Sequence, residues 1–108
     1  MFGTWRMSEI EGRLQIEPRG DGVIFRWVDF AEATCRFDGR DCPLEGAVAA
    51  GSTMTLRATG PRNFEDQDTT LGKVNYSNRF SVSDDGKTLT EDETSATGEK
   101  RVIVYERQ

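Results

Sequence analysis

Histidine is absent from the 108-residue sequence. That removes the commonest general base, metal ligand and haem ligand together. An enzyme built on this chain would work with carboxylates, Tyr, Lys, Cys or shape alone. Cysteine occurs twice, at Cys35 and Cys42. Two ligands are too few for a zinc site, and without His nothing evident activates either thiol as a nucleophile. No metal, cofactor or catalytic constellation is therefore expected. No apolar run approaches the roughly 18–20 residues of a membrane-spanning helix, so no membrane span is expected. No basic-then-apolar signal segment precedes Phe2. The expected location is the cytoplasm, or an exported one if a leader was removed. A basic cluster is missing too, and the net charge is −5. Nucleic acid and anionic membrane surfaces are poor partners for such a chain.

Apolar residues make up only 35% of the sequence and charged residues 31%, yet two Trp, two Tyr and six Phe argue against disorder. Strands with one wet face reconcile the two observations, because half of each strand need not be apolar. Residues 13–17 set Leu14 and Ile16 against Arg13, Gln15 and Glu17. Residues 23–29 set Val23, Phe25 and Trp27 against Ile24, Arg26 and Val28, with the aromatic face inward. Met54 and Leu56 face inward from residues 52–58. Residues 63–70, NFEDQDTT, read as a weak and very polar strand, for which a solvent edge or a loop serves equally. Residues 74–83 alternate most clearly, with Val74, Tyr76, Phe80 and Val82 on one face, interrupted by Asn78. The Thr-rich residues 88–95 place Glu91 and Glu93 on the face of Leu89, and residues 100–107 form a last strand. The turns are short, and no helix or long crossover is evident. Parallel strands need crossovers of about a dozen residues or more, so the strands form an antiparallel meander. An open sheet of about eight or nine short strands has exposed edges that closure removes. The expectation is an all-β, single domain over residues 1–108, an up-and-down barrel in preference to a two-sheet sandwich.

The turn signal at Asp38-Gly39 predicts a central hairpin. A two-residue type I′ turn needs positive φ at both positions, which Asp tolerates and Gly adopts freely. Counting outward, Phe37 faces Arg40, Arg36 faces Asp41 as a charge pair, and Cys35 faces Cys42. Opposed residues lie within disulfide range. Two states stand open: a Cys35–Cys42 bridge, or two reduced and half-buried thiols. Pro43 cannot donate to a ladder, so the second strand is short or lies at an edge. A second Asp-Gly signal, in Asp84-Asp85-Gly86-Lys87, predicts another hairpin.

Several stretches taken in order carry a resemblance: Gly3-Thr4-Trp5, Gly20-Asp21-Gly22, FDGRDCP over residues 37–43, VSDDGKTLT over residues 82–90, and Val104-Tyr105-Glu106. The chain resembles a group of short, mostly uncharacterised bacterial lipocalin-like proteins. An aromatic usually stands where this chain has Cys42. Gly3-x-Trp5 is also similar to the G-x-W of lipocalins and related calycin barrels. The resemblance implies a lipocalin-like barrel in which a basic residue from the end of the barrel covers Trp5. Arg107 is the first candidate by position and Arg101 the second. The chain lacks the length for a C-terminal helix or a helical lid of the kind such barrels carry.

The candidate ligand site is the barrel interior, lined by Phe25, Trp27, Met54, Leu56, Tyr76 and Phe80, with Asn78 and the Tyr76 hydroxyl as polar handles. Pockets are typically apolar with a few placed polar groups. An eight-stranded barrel either fills with side chains or holds one small ligand. Glu91, Asp92 and Glu93 are consecutive, and Asp66 and Asp68 sit two apart on one strand face; such pairs could share a proton or bind Ca²⁺, but the first reading is solvated strand charge that discourages edge pairing. The leading function is binding of a small apolar or amphipathic molecule. A barrel enzyme of cyclase or isomerase type, with Tyr76, Asn78 or Glu91 polarising its substrate, is the second reading. A ligand-free homodimeric scaffold is the third. An inward Glu91 with a raised pKa would favour the enzyme; a filled interior and an exposed apolar patch would favour the scaffold; a continuous, mostly apolar cavity without perturbed carboxylates would favour simple binding.

Overall fold

Alternation along each strand decides what faces inward, and one continuous antiparallel sheet carries all of it. The computed structural model describes residues 2–7, 13–48 and 50–108. Its strands are β1 (Gly3–Met7), β2 (Arg13–Arg19), β3 (Gly22–Trp27), β4 (Ala31–Cys35), β5 (Cys42–Pro43), β6 (Glu45–Gly46), β7 (Ser52–Gly60), β8 (Asn63–Thr70), β9 (Lys73–Val82), β10 (Thr88–Ser95) and β11 (Lys100–Arg107). The spatial order is β5-β7-β8-β9-β10-β11-β1-β2-β3-β4-β6. Apart from the β4–β7 segment, each strand pairs with the next in sequence, and the last pairs with the first, Trp5 opposite Arg107. This is the expected all-β up-and-down barrel, nearly closed, with nine long strands and two of only two residues. Among the described residues, no helix is long and apolar enough to cross a membrane.

The two edges of the sheet, β5 and β6, are separated in sequence by Leu44 alone. Cys42 and Pro43 pair with Met54 and Thr53 of β7, while Glu45 and Gly46 pair with Glu32 and Ala31 of β4. The barrel therefore closes through one short segment that pairs first to one edge and then to the other. The Leu44 N–H donates to the Ser52 carbonyl (3.0 Å) and the Ala47 N–H to the Phe30 carbonyl (2.6 Å). Cys35, at the end of β4, is joined to Cys42 of β5 by a disulfide, with their Cα atoms 5.6 Å apart.

The expected hairpin at Asp38-Gly39 is not formed. Gly39 has positive φ (76°) but Asp38 does not, so the type I′ geometry is absent. Asp38 instead bridges Arg57 of β7, and the Gly39 N–H donates to the Leu56 carbonyl (2.9 Å). Arg36 pairs with Asp21 (3.3 Å) rather than with Asp41. Pairing to β7 takes the place of the local hairpin and overrides the turn signal. The second Asp-Gly signal does form its hairpin, between β9 and β10. There the Asp85 carboxylate accepts from the Ser83 hydroxyl (2.6 Å) and the Lys87 N–H (3.0 Å). The first of these bonds, with the second behind it, lowers the Asp85 pKa. The polar segment expected at an edge or in a loop is β8, in the middle of the sheet between β7 and β9.

One end of the barrel is packed solid. Phe64 and Phe80 stack at 4.5 Å with rings nearly parallel, and Phe25 meets both edge-on at 5.9 and 5.7 Å. Val23, Leu56, Val82 and Leu89 fill in around them. Trp5 is fully buried here, and the Arg107 guanidinium lies 4.3 Å from its ring centroid. Arg107 also donates to the Phe2 and Gly86 carbonyls, both at 2.7 Å. Gly3 makes room for this cap, because a β-carbon there would collide with the Arg107 side chain.

The bridge constrains a short loop, and chain-entropy reasoning gives about 2–3 kcal/mol for a ring of this length. The Cys35→Ser/Cys42→Ser variant is expected to lose that much unfolding free energy, read as a drop of about 1–2 M in the urea midpoint. An unchanged midpoint would mean that the β5–β7 and β4–β6 pairings hold the seam alone.

Candidate functional site

The opposite end of the barrel is open, and it is lined by acids. Three pairs of registered strands bring them together. On β8 and β9, Phe64 faces Phe80, Asp66 faces Asn78 and Asp68 faces Tyr76. On β10, Glu91 sits beside Phe80 and Glu93 beside Asn78. On β11, Ile103 lies opposite Glu91 and Arg101 opposite Glu93. Because side chains alternate at period 2, an inward Phe64 puts Asp66 and Asp68 inward too, and an inward Leu89 does the same for Glu91 and Glu93. The reading of these carboxylates as solvated surface charge is therefore overturned. Asp66 is 2% exposed and Glu91 4%.

A cavity of about 690 Å³ opens at this end. Trp27, Met7, Leu44 and Ile103 give it an apolar wall, and Asp68, Asn78, Glu91, Glu93 and Tyr105 a polar one. Of the residues expected to line the interior, Trp27, Tyr76 and Asn78 reach this cavity. Tyr76 stands at the mouth, 43% exposed, rather than inside. Phe25, Met54, Leu56 and Phe80 do not line it; they belong to the packed core. Asp68, Glu93 and Tyr105, which line the cavity, and Asp66, which is bonded to Asn78, are additions that the interior pattern held but that were not read as site residues. The signals were the alternating Phe64-x-Asp66-x-Asp68 and Leu89-x-Glu91-x-Glu93.

The acids are partly tied. The Tyr105 hydroxyl donates to Glu91 Oε1 (2.7 Å), and Asn78 Nδ2 donates to Asp66 Oδ1 (2.6 Å). Arg101 Nη2 lies 3.2 Å from Glu93 Oε1. Arg101 is the one cation among the described lining residues. Burial pushes the Glu91 carboxyl up to about 7; the Tyr105 bond opposes this, and the charges of Glu93 and Asp68 add to it. Burial, then the charge of Glu93, raises Asp68 to about 6. Asp66 is raised well above the usual range by burial and by Asp68, against the Asn78 bond. Burial and the neighbouring Glu91 also push the Tyr105 phenol up, so it stays protonated and donating. Such a cluster stores and exchanges protons near neutral pH. Among the described residues, no group of three or more His, Cys, Asp or Glu is placed to hold a metal ion.

Neither a protein-family model nor a curated protein matches this chain.

Asp66, Asp68 and Glu91 hold their protons more tightly in the folded than in the unfolded chain, so stability falls as pH rises through the window between the two pKa values. For Glu91 that window runs from 4.5 to about 7. The cost is absent below it, where both states are protonated, and complete above it. Glu91→Gln keeps an acceptor for Tyr105 and removes the cost. The variant is expected to match the parent at pH 4 and to exceed it at pH 8 by on the order of 3 kcal/mol, read from urea unfolding at the two pH values. Equal stability at pH 8 would mean that Glu91 is solvated in the folded protein.

Proposed function

We propose that this protein is a lipocalin-like binding barrel that takes a small apolar or amphipathic molecule into its open end. The observation that carries the reading is the half-filled interior: a cavity of about 690 Å³ with an apolar wall at Trp27, Met7 and Ile103 and polar groups at Asn78, Glu91 and Tyr105. That division is the usual form of a small-molecule site. Trp5 beneath Arg107 supports the lipocalin-like assignment. The open cavity weighs against a filled, ligand-free scaffold. The Cys35–Cys42 bridge favours an exported protein, since disulfides persist in oxidising compartments.

A second reading has its own observation. Glu91 faces the cavity with its pKa raised to about 7 and a phenol bonded to it, which suits a general acid or base at neutral pH. On this reading the barrel is an enzyme of cyclase or isomerase type. Conversion of a bound molecule that stops in Glu91→Gln while binding persists would establish it.

Native mass spectrometry of the protein purified from its own host tests the first reading. A co-purifying small molecule that is lost from Trp27→Ala is expected. A bare mass for the parent protein, together with no binding from a panel of amphipathic compounds, would overturn it.

A further inference from the structure

Three oxygen atoms in the acidic cluster have no hydrogen-bond partner among the described residues: Asp66 Oδ2, Asp68 Oδ1 and Asn78 Oδ1. All three are acceptors, or become so when the carboxyls ionise. Asn78 is 3% exposed, and it and Asp68 line the cavity. Asp66 does not line the cavity but is bonded to Asn78, which does. Buried acceptors left unpaired are costly and call for donors. Protonated, Asp66 and Asp68 each carry one O–H donor; once they ionise, the cavity supplies few. Tyr105 is spent on Glu91 and Arg101 on Glu93.

We infer that the occupant of this cavity is a small organic amine in its protonated form, with its ammonium group against Asn78 Oδ1, Asp68 and Glu93 and its apolar arm along Trp27, Met7 and Ile103. The inference rests on the binding reading above and names the ligand class. An ammonium offers three N–H donors and one positive charge, which match unpaired acceptors and surplus negative charge together. An alcohol offers one donor and no charge. A carboxylate would add to the repulsion. Trp27 and Tyr76 border the same space, and an aromatic ring attracts a cation placed over its face. A bare divalent cation lacks its ligand set among the described residues.

Binding of a cation is then coupled to proton loss. The groups facing the site are Asp66 and Asp68 on β8, Tyr76 and Asn78 on β9, Glu91 and Glu93 on β10, and Arg101 and Tyr105 on β11. Asp68 and Glu91, raised to about 6 and about 7, hold protons in the empty barrel that an ammonium displaces. Affinity therefore rises with pH across that range, by up to about tenfold per pH unit for each proton released.

Isothermal titration of the full chain with hexylamine, hexan-1-ol and hexanoate at pH 5.5 and pH 8 tests this. Hexylamine is expected to bind at least about tenfold tighter than hexan-1-ol at pH 8, and about tenfold or more weaker at pH 5.5. Asp68→Asn, which removes a destabilising charge and so spares the fold, is expected to lower hexylamine affinity about tenfold. Equal or tighter binding of hexan-1-ol or hexanoate would overturn the amine inference and leave the binding barrel standing. No binding by any of the three would overturn the amine inference, and the binding barrel then stands or falls on the native mass. Displacement of hexylamine by Ca²⁺ would assign the cluster to a metal ion and overturn the inference.

Discussion

An edge strand carries a row of N–H and C=O groups with no partner, and a sheet of this length has two such rows to satisfy. Here the two edges meet through residues 42–46. Because β5 pairs with β7, β6 pairs with β4 and only Leu44 lies between them, the same short segment serves both edges. Much else follows. Residues 36–41 must cross from the end of β4 to the flank of β7, so they cannot fold back as a hairpin. Asp38 and Gly39 find partners on β7 instead. Pro43, which lacks an N–H, sits in a two-residue strand where little of the ladder depends on it. The disulfide lies across this seam, where the backbone pairing is thinnest.

The interior is divided along the barrel axis by chemistry. At one end three phenylalanines and a capped tryptophan fill the space. At the other, four acids share it with one arginine. Burying like-charged carboxyls costs stability, and Asp66, Asp68 and Glu91 are held back from ionising by their surroundings. A filled core would have been the more stable solution. Local rules are broken in this way most often at functional sites, and the break here coincides with a large opening into the interior.

Strand existence and direction were readable from alternation. Val23, Phe25 and Trp27, and equally Phe80 and Val82, point inward as their period demands. The Asp84–Lys87 turn was legible because its partners are local. Two features were not legible, for different reasons. The Asp38-Gly39 signal is a genuine local preference, and Gly39 keeps its positive φ, but the pairing that decides the segment comes from residues 53–57, far along the chain. The acids were legible in position and misjudged in environment. Phe64 fixes the side on which Asp66 lies, yet charge is so rarely buried that the polar strand reads as a wet edge. Only the closure of the whole sheet turns that face inward, and closure is the least local property the chain has.

The aromatic stack of Phe25, Phe64 and Phe80 has a kinetic corollary. It stoppers the barrel just beneath the acidic cluster, so the chamber is a cul-de-sac and not a conduit. Among the described residues, a guest of the open end meets this stack on the way to the packed end, so arrival and release share one end of the barrel.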